Sequence, residues 1–415
     1  MMGTADPQPS MFYHINLEQY VTADHPMRKI RPLIDTARIR QLCEPLYAET
    51  GRPSIPPEQL FLALLGGYLL GVTSERALVR ELTGNLVLRW FVGLDLDQMP
   101  WDHSTFSQNR KRRFTESGLL ERLFDETVAL AIKQKLVSHH TTLDGTLVQA
   151  NASHKSFVPM EVFLKPEDYK KRIRSLDARS EPDQDSGNPT VTFRGERRSN
   201  QTHVSTTDPD AKLANKGNGT AAMVGYTVNG LMENRHRLLV GINVEPFRGP
   251  ASETDGGRTL IDRFHATHDL RIQTVGADKG YFAKPFLRAL VRRRIRPHIA
   301  AKTTGREAVH QRVRRLSRTV GYRLSQRARK KIEELWGEAK CWHGFRRFQR
   351  RGLLQVRDEA YLMGWLLNLK RLASVLQAPA YGSPRGWGYA GRRREQKMAG
   401  SHSRADRPIA TQRPE

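Results

Sequence analysis

The spacing of apolar residues divides the chain into a helical first third and a middle in which strands alternate with helices. From about residue 14 to about residue 135, apolar positions recur at intervals of three and four, which predicts several short helices. Two prolines after Ser54 predict the start of one helix, and Ser104 can cap another, STFSQNRKRRF. The predicted face of that last helix carries Arg110, Lys111, Arg112 and Arg113. Short helices with tight connections are typical of helix-turn-helix bundles, so residues 1–135 are assigned to an N-terminal helical, DNA-binding domain. A generic bundle with one solvated basic face is the alternative.

From about residue 138 the pattern changes to short runs rich in Thr, Val and Leu. HHTTLDGTLVQAN, THVSTTDPDAKLA, AAMVGYTVNGLMEN and RHRLLVGINVEP are predicted to contain strands, with a hairpin turn at residues 231–235. ETDGGRTLIDRFHATHDL and KPFLRALVRRR then predict helices, and RIQTVGADKGY and IRPHIAAK predict strands. This order predicts a mixed α/β fold in which helices flank a mixed sheet.

The core is assigned to residues 136–377 and contains a polar stretch at about residues 152–198, which we interpret as an insertion or mobile loop. Its last part is predicted to hold a basic helix and then an amphipathic closing helix, DEAYLMGWLLNLKRLASVL. Residues 378–415 are poor in aliphatic side chains and are predicted to form a disordered basic tail.

Charge narrows the classes of partner. The 415 residues include 68 Lys and Arg against 43 Asp and Glu, a formal net charge of +25. A surplus of this size predicts a polyanionic partner, of which nucleic acid is the commonest. A merely basic surface of the ribosomal type is the alternative.

Cysteine use and hydropathy predict a soluble protein of the reducing cytoplasm without a membrane partner. Cys43 and Cys341 lie far apart and form no CxxC pair, which excludes a disulfide framework and argues against a cysteine zinc site. The longest apolar run, residues 60–72, is too short to span a membrane. The N-terminus lacks the pattern of a signal peptide.

Three acidic residues suggest the chemistry. Asp144 and Asp278 are each predicted at the end of a buried strand, and Glu333 lies on the basic helix. Carboxylates from two strands and one helix can converge on two divalent ions roughly 3.5–4 Å apart, which suits attack on a phosphodiester. Magnesium prefers such oxygen ligands. The alternative for each aspartate is a turn or a helix cap.

The helix around Glu333 carries cations at helical spacing. Gln326, Arg329, Glu333 and Lys340 share one face. On this interpretation Glu333 binds metal, while Arg329 and Lys340 bind phosphate. An ordinary exposed helix with ion pairs is the alternative, and in it Glu334 and Glu338 count equally with Glu333.

Together these motifs resemble those of bacterial insertion-sequence transposases of the DDE class. Arg329, Glu333 and Lys340 match the Tyr-(2)-Arg-(3)-Glu-(6)-Lys signature of one group, whose tyrosine position is Gln326 here. LDGT at Asp144 and ADKGY at Asp278 resemble the first and second aspartate motifs. IPPEQLFLALLGGYLLGVTSERALVREL and WDHSTFSQNRKR resemble the helical domain that precedes the catalytic core. The likeness covers roughly residues 14–375.

The resemblance implies an RNase H-like core, Mg²⁺ with Mn²⁺ as a substitute, and double-stranded DNA as partner, both element ends and target. It implies a homodimer or larger assembly on the terminal inverted repeats. Water frees a 3′-OH at the element end, and that hydroxyl attacks target DNA. His154, Lys279 and Tyr281 lie near the predicted site in sequence. A metal-dependent nuclease without strand transfer and a transposase-derived DNA-binding protein without catalysis are the alternatives.

Overall fold

A helical region precedes the sheet in the computed structural model, which describes residues 14–160, 198–215 and 222–376. As predicted, one helix starts at the prolines, with Pro56 as its N-cap, but Ser104 opens its helix rather than capping it. The Ser104 N–H instead donates to Asp102 Oδ1 at 2.8 Å. The helices are α1 Leu17–Tyr20, α2 Pro26–Ile30, α3 Thr36–Cys43, α4 Pro57–Leu69, α5 Glu75–Gly84, α6 Leu86–Val92, α7 Ser104–Asn109, α8 Thr115–Ser117 and α9 Leu119–Lys133.

The predicted basic face after α7 is divided between interior and solvent. Arg110–Phe114 forms a π-helical turn. Arg110 forms an ion pair with Glu75, and the Arg113 guanidinium lies 4.1 Å from the centre of the Tyr47 ring. The side chains of the segment that stay exposed are those of Lys111 and Arg112. Four consecutive residues cannot share one helical face, so the expectation of a single face was wrong.

The strands form one mixed sheet and a separate pair. The strands are β1 His140–Gln149, β2 Phe157–Pro159, β3 His203–Ser205, β4 Lys212–Ala214, β5 Met223–Glu233, β6 Leu239–Pro246, β7 Thr274–Ala277 and β8 Arg296–Ile299. The main sheet has the order β6–β5–β1–β7–β8, and β4 pairs with the start of β5. Strands β6, β5 and β1 are antiparallel neighbours, whereas β1, β7 and β8 run parallel. The predicted mixed sheet flanked by helices is confirmed, and its order is consistent with an RNase H-like core.

The hairpin turn lies later than the predicted residues 231–235. Strand β5 continues to Glu233 and β6 begins at Leu239. The buried Glu233 carboxylate accepts the N–H of Arg235 at 2.9 Å and of Ser138 at 3.3 Å. A carboxylate with these backbone donors holds the turn that follows it.

The last helix is a central element of the core, not the amphipathic closing helix that the sequence predicted. The remaining helices are α10 Pro250–Thr267, α11 Lys284–Arg292, α12 Ala308–Leu316, α13 Val320–Trp342 and α14 Leu353–Leu376. Helix α14 is buried almost all round, between β6 and α9. Its polar groups are satisfied inside: Glu359 accepts the Tyr68 hydroxyl at 2.9 Å, and the Asn368 side chain bonds both the N–H and the carbonyl of Leu239. It therefore ties the helical region to the sheet.

Parts of two predicted segments lie outside the described residues: 161–197 of the insertion, and the whole tail at 378–415. The described end of the insertion contains β2, which pairs with β3. The predicted domain boundaries stay predictions. None of the described helices is long and apolar enough to cross a membrane.

Candidate active site

Strand register places two aspartates side by side. Strands β1 and β7 run parallel, and the last of their paired residues are Thr142 and Gly276. The same register, continued by two residues, sets Asp144 opposite Asp278. Neighbouring strands lie about 4.8 Å apart, so the two carboxylates start from adjacent backbones.

Asp278 lies where the sequence predicted it, and Asp144 does not. Asp278 directly follows Ala277, the last residue of β7. Asp144 lies in the middle of β1, because β5 continues to pair with β1 as far as Gln149. Asp144 nonetheless lies beside the point where β7 ends, and this end of the parallel strands is the sheet edge at which the carboxylates lie.

Helix α13 covers the face of the sheet to which Asp144 points. A Cβ on Gly276 would lie 2.7 Å from Ser325 Oγ of α13 and 3.4 Å from Thr142 Oγ1. The absence of a side chain at Gly276 thus lets α13 approach the strands. Alternate residues of a strand share a face, so Asp144 points to the same side as Thr142.

Glu253, in the first turn of α10, is a further carboxylate at this edge. A Cβ on Gly145 would lie 2.9 Å from Glu253 Cγ and 3.1 Å from its Oε1. A Cβ on Gly280 would lie 3.4 Å from Glu253 Oε2 and 3.0 Å from Asp278 Oδ1. Glu253 therefore reaches the strand that carries Asp144 and the turn that follows Asp278.

Glu253 was not among the predicted site residues, although its helix was predicted. The available signal was the glycine pair that follows it in ETDGG. A Cβ on Gly257 would lie 2.2 Å from Leu143 Cδ2, so α10 rests directly on β1 only because that side chain is absent. A helix held this close to the strand brings its first turn to the aspartates.

Crowded negative charge marks the edge. Burial, then repulsion from Asp278 and Glu253, raises the pKa of Asp144 to about 7. Burial and then Asp278 raise the pKa of Glu253. Tyr281 is fully buried, and burial followed by the charges of Glu253, Asp144 and Asp278 raises its pKa. Its hydroxyl has no hydrogen-bond partner among the described residues.

Helix α13 brings one cation and one carboxylate to Asp144. Arg329 lowers and Glu333 raises the pKa of Asp144, each by its charge and each less than burial does. Arg329 Nη1 donates to Glu333 Oε1 at 2.6 Å. The Glu333 side chain is 53% exposed. Glu333 is thus near the aspartates but engaged by its neighbour on the helix.

Gln326, at the signature's tyrosine position, fixes α13 to the sheet edge. Its Nε2 donates to the carbonyl of His298 at 2.6 Å and to that of Ala277 at 3.3 Å. Since Ala277 precedes Asp278, this amide links the helix of Glu333 to the strand of the second aspartate.

The two alternative glutamates on α13 have other partners. Glu334 pairs with Lys331 at 2.9 Å and with Arg237 at 3.3 Å.

Glu338 lies in a partly buried ionic cluster with Lys370 and Arg371 of α14. Burial opposes its ionisation, but the hydrogen bond from His343 and the charges of Arg371 and Lys370 hold its pKa well below the usual value. Glu338 therefore joins α13 to α14.

The other predicted residues occupy different places. Lys340 Nζ donates to Thr146 Oγ1 at 2.6 Å and to the Leu147 carbonyl at 2.8 Å, just beyond Asp144 on β1. Asp278 Oδ1 accepts the Gly280 N–H at 2.8 Å, so it also makes the turn that the alternative reading gave it.

Lys279, in that turn, is exposed. His154 lies in a 3₁₀ turn after β1, and in the described ranges no hydrogen bond or ion pair joins it to the carboxylates.

The donor chemistry of the edge fits a divalent cation. Its ionisable side chains are mainly carboxylates, and the raised pKa of Asp144 reflects negative charge that a cation would offset. Within residues 14–160, 198–215 and 222–376, however, no group of three or more His, Cys, Asp or Glu side chains is arranged to hold a metal ion. Asp144, Asp278 and Glu253 would therefore have to rearrange to hold one, and Glu333 would have to release Arg329 to join them.

The substitution Glu253→Gln tests the crowding without reference to activity. When folding raises the pKa of a carboxyl group, the folded protein becomes less stable as the pH rises from the group's ordinary pKa to its folded pKa. The ordinary pKa is about 4, and the folded pKa of Asp144 is about 7. The variant lacks the negative charge of Glu253, so the pKa of Asp144 should be lower in it than in the wild type. Its Tm in EDTA should therefore gain on the wild type by roughly 1–3 °C between pH 4 and pH 8.

Thermal unfolding at each pH measures this difference. Glu334→Gln, which removes an exposed charge, is the control and should show no such trend. A Tm difference for Glu253→Gln that stays constant with pH would mean that its carboxylate does not face the aspartates.

Comparison with protein families agrees with this arrangement. The model described as Transposase domain (DUF772) matches residues 15–112, and the model described as Transposase DDE domain matches residues 200–369. The second match includes Asp278 and Glu333 and begins after Asp144. No curated protein and no solved structure matched the chain. The predicted enzyme class is confirmed: the chain carries a DDE transposase domain, the domain of a family of phosphoryl-transfer enzymes, with a transposase domain ahead of it.

Proposed function

We propose that this transposase binds the terminal inverted repeats of an insertion sequence and catalyses Mg²⁺-dependent strand cleavage and transfer into target DNA. We further propose that it belongs to the group with the Tyr-(2)-Arg-(3)-Glu-(6)-Lys signature, with Gln326 in place of the tyrosine. It acts as a homodimer or larger assembly on DNA, and Mn²⁺ replaces Mg²⁺.

The observation that carries the proposal is the meeting of carboxylates from three elements at one sheet edge. The register of β1 and β7 aligns Asp144 with Asp278, and Glu253 of α10 reaches both segments. Carboxylates that raise one another's pKa are typical of functional sites, and here they lie in a chain of net charge +25. Phosphodiester chemistry explains both, because the surrounding cations attract DNA and the carboxylates hold the metal.

In the proposed site, Asp144, Asp278 and Glu333 hold the metal and Glu253 adds a fourth carboxylate. A divalent cation bound there supplies positive charge to the reacting phosphate and activates an attacking hydroxyl. The positive charge of Arg329 lowers the pKa of Asp144, so Arg329 is suited to bind a phosphate oxygen at the site. Lys340, anchored on Thr146, is suited to bind the next phosphate.

Two alternatives keep the same fold. A nuclease would cut but not join, and a DNA-binding derivative would do neither. All the carboxylates of the proposed site are present in the chain, which favours an active enzyme over the second alternative.

The test is a two-step assay with purified protein. Inverted repeats that bracket the coding region supply the end sequences, and a labelled duplex carries one such end joined to flanking DNA. With Mg²⁺ or Mn²⁺ we expect a nick that frees the element's 3′-OH, followed by joining of that end to a supercoiled plasmid. Cleavage without joining would establish the nuclease, and end-specific binding without cleavage would establish the DNA-binding derivative.

A further inference from the structure

A second charged surface, apart from the carboxylate site, is a groove between α11 and α12. Its volume is about 700 Å³. Six cationic side chains line it, together with apolar ones from the same helices. They are Arg258 of α10, Lys284, Arg288 and Arg292 of α11, and Arg312 and Arg315 of α12.

Described carboxylates pair with three of the six cations in the lining. Glu307 pairs with Lys284 at 2.5 Å and with Arg288 at 3.0 Å.

Arg258 pairs with Asp255 at 3.4 Å. In the part of the chain that the structure describes, Arg292, Arg312 and Arg315 form no ion pair or hydrogen bond through their side chains. All three are exposed.

Like charges at helical spacing destabilise a helix when nothing is bound. Arg288 and Arg292 are four residues apart on α11, and Arg312 and Arg315 are three apart on α12. Both helices bury their other faces, α11 through Phe286 and α12 through Val313, so the arginines cannot turn inward. An anion in the groove would convert this repulsion into binding.

The groove begins on the elements that build the active site. The turn Lys279–Tyr281 joins Asp278 to α11, and α10 carries both Glu253 and Arg258. Those two residues are five positions apart on the helix, a rise of about 7.5 Å along its axis. A DNA backbone whose scissile phosphate lies at the carboxylates can continue into the groove.

We propose that this groove, given the transposase function proposed above, binds the phosphodiester backbone of target DNA. Arginine and lysine are its only polar lining residues. Phosphate contacts of this kind position DNA without specifying a sequence. Target DNA is bound largely in that mode, whereas element ends must in addition make contacts that read bases.

The variant Arg312→Gln/Arg315→Gln tests the proposal, with Arg271→Gln/Arg294→Gln as the matched control. The control removes the same charge in the same fold from exposed residues just before β7 and β8, which do not line the groove. Fluorescence anisotropy with a random-sequence duplex, across a salt series, measures the affinity. Joining of a pre-cut end to a plasmid and hydrolysis at an uncut end are measured in parallel.

Loss of two phosphate contacts should reduce the slope of log Kd against log salt by about 1.8. We expect affinity for the random duplex to fall roughly tenfold at moderate salt, and joining to fall with it, while end hydrolysis and the control stay at wild-type values. Unchanged slope and joining would overturn the proposal. Equal loss of end hydrolysis and joining would overturn it in favour of an element-end site. If the wild type neither cuts nor joins, the proposed function fails, and the salt slopes still decide whether the groove binds DNA.

Discussion

Asp144→Asn is expected to abolish strand cleavage and joining while leaving DNA binding intact. The substitution keeps the shape of the side chain but removes the carboxylate at the centre of the crowded edge, where Asp278, Glu253 and Glu333 all influence its pKa. Metal-assisted charge stabilisation contributes several kcal/mol, so its loss should slow cleavage by at least about 10³-fold. Single-turnover cleavage of a labelled end duplex measures the rate, and a gel shift on the same duplex measures binding.

The control is Asp269→Asn, which removes an exposed carboxylate in the loop before β7. It should cut and bind like the wild type. A Tm at or above that of the wild type at pH 8 would show that the Asp144→Asn protein is folded, since the variant relieves a buried charge. Wild-type cleavage by the folded variant would refute the assignment of Asp144 as a catalytic residue.

Local pattern was enough to predict most elements and the class of fold. Helical spacing predicted the short helices of the first third, and runs rich in Thr and Val predicted β1 and β5. These signals lie within short stretches of sequence, so they can be read without knowing which strands pair with each other. The hairpin turn was misplaced because it depends on Glu233, a buried carboxylate whose backbone donors include one from a distant residue, Ser138.

The burial of α14 depends on packing between distant elements. Its polar residues predict a solvated face, but Glu359 and Asn368 find partners in the helical region and on β6. A single sequence does not reveal such partners, because they come from residues more than a hundred positions away.

The candidate site was partly predictable for a similar reason. Asp144 and Asp278 stand out because each follows a strand-like run and lies within two residues of a glycine, and sheet register then brings them together. Glu253 has no such local mark beyond the glycine pair, and its role follows from how closely α10 rests on β1. Gln326 departs from the signature, yet its amide supplies a tether that the sequence did not suggest.

Glu333→Gln is expected to slow cleavage by about 10²–10³-fold, while Glu334→Gln leaves the rate unchanged. The two glutamates are adjacent on α13, and the side chain of each is 53% exposed. Only Glu333 acts on the pKa of Asp144, whereas Glu334 pairs with Lys331 away from the aspartates. The pair therefore separates a metal-binding role from a general effect of charge on the helix. Single-turnover cleavage and Mn²⁺ binding, followed by the electron paramagnetic resonance of free Mn²⁺, should decline together in Glu333→Gln alone.

Glu338→Gln completes the comparison because its carboxylate holds α13 to α14 through Lys370 and Arg371. Breaking a partly buried ionic cluster of this kind should lower the Tm, with cleavage per folded molecule retained. A Glu333→Gln protein that cuts at the wild-type rate would leave the third carboxylate of the triad to be sought elsewhere. Glu253 would then be the first candidate, since it already reaches both aspartate segments and, unlike Glu333, does not have to break an ion pair with Arg329.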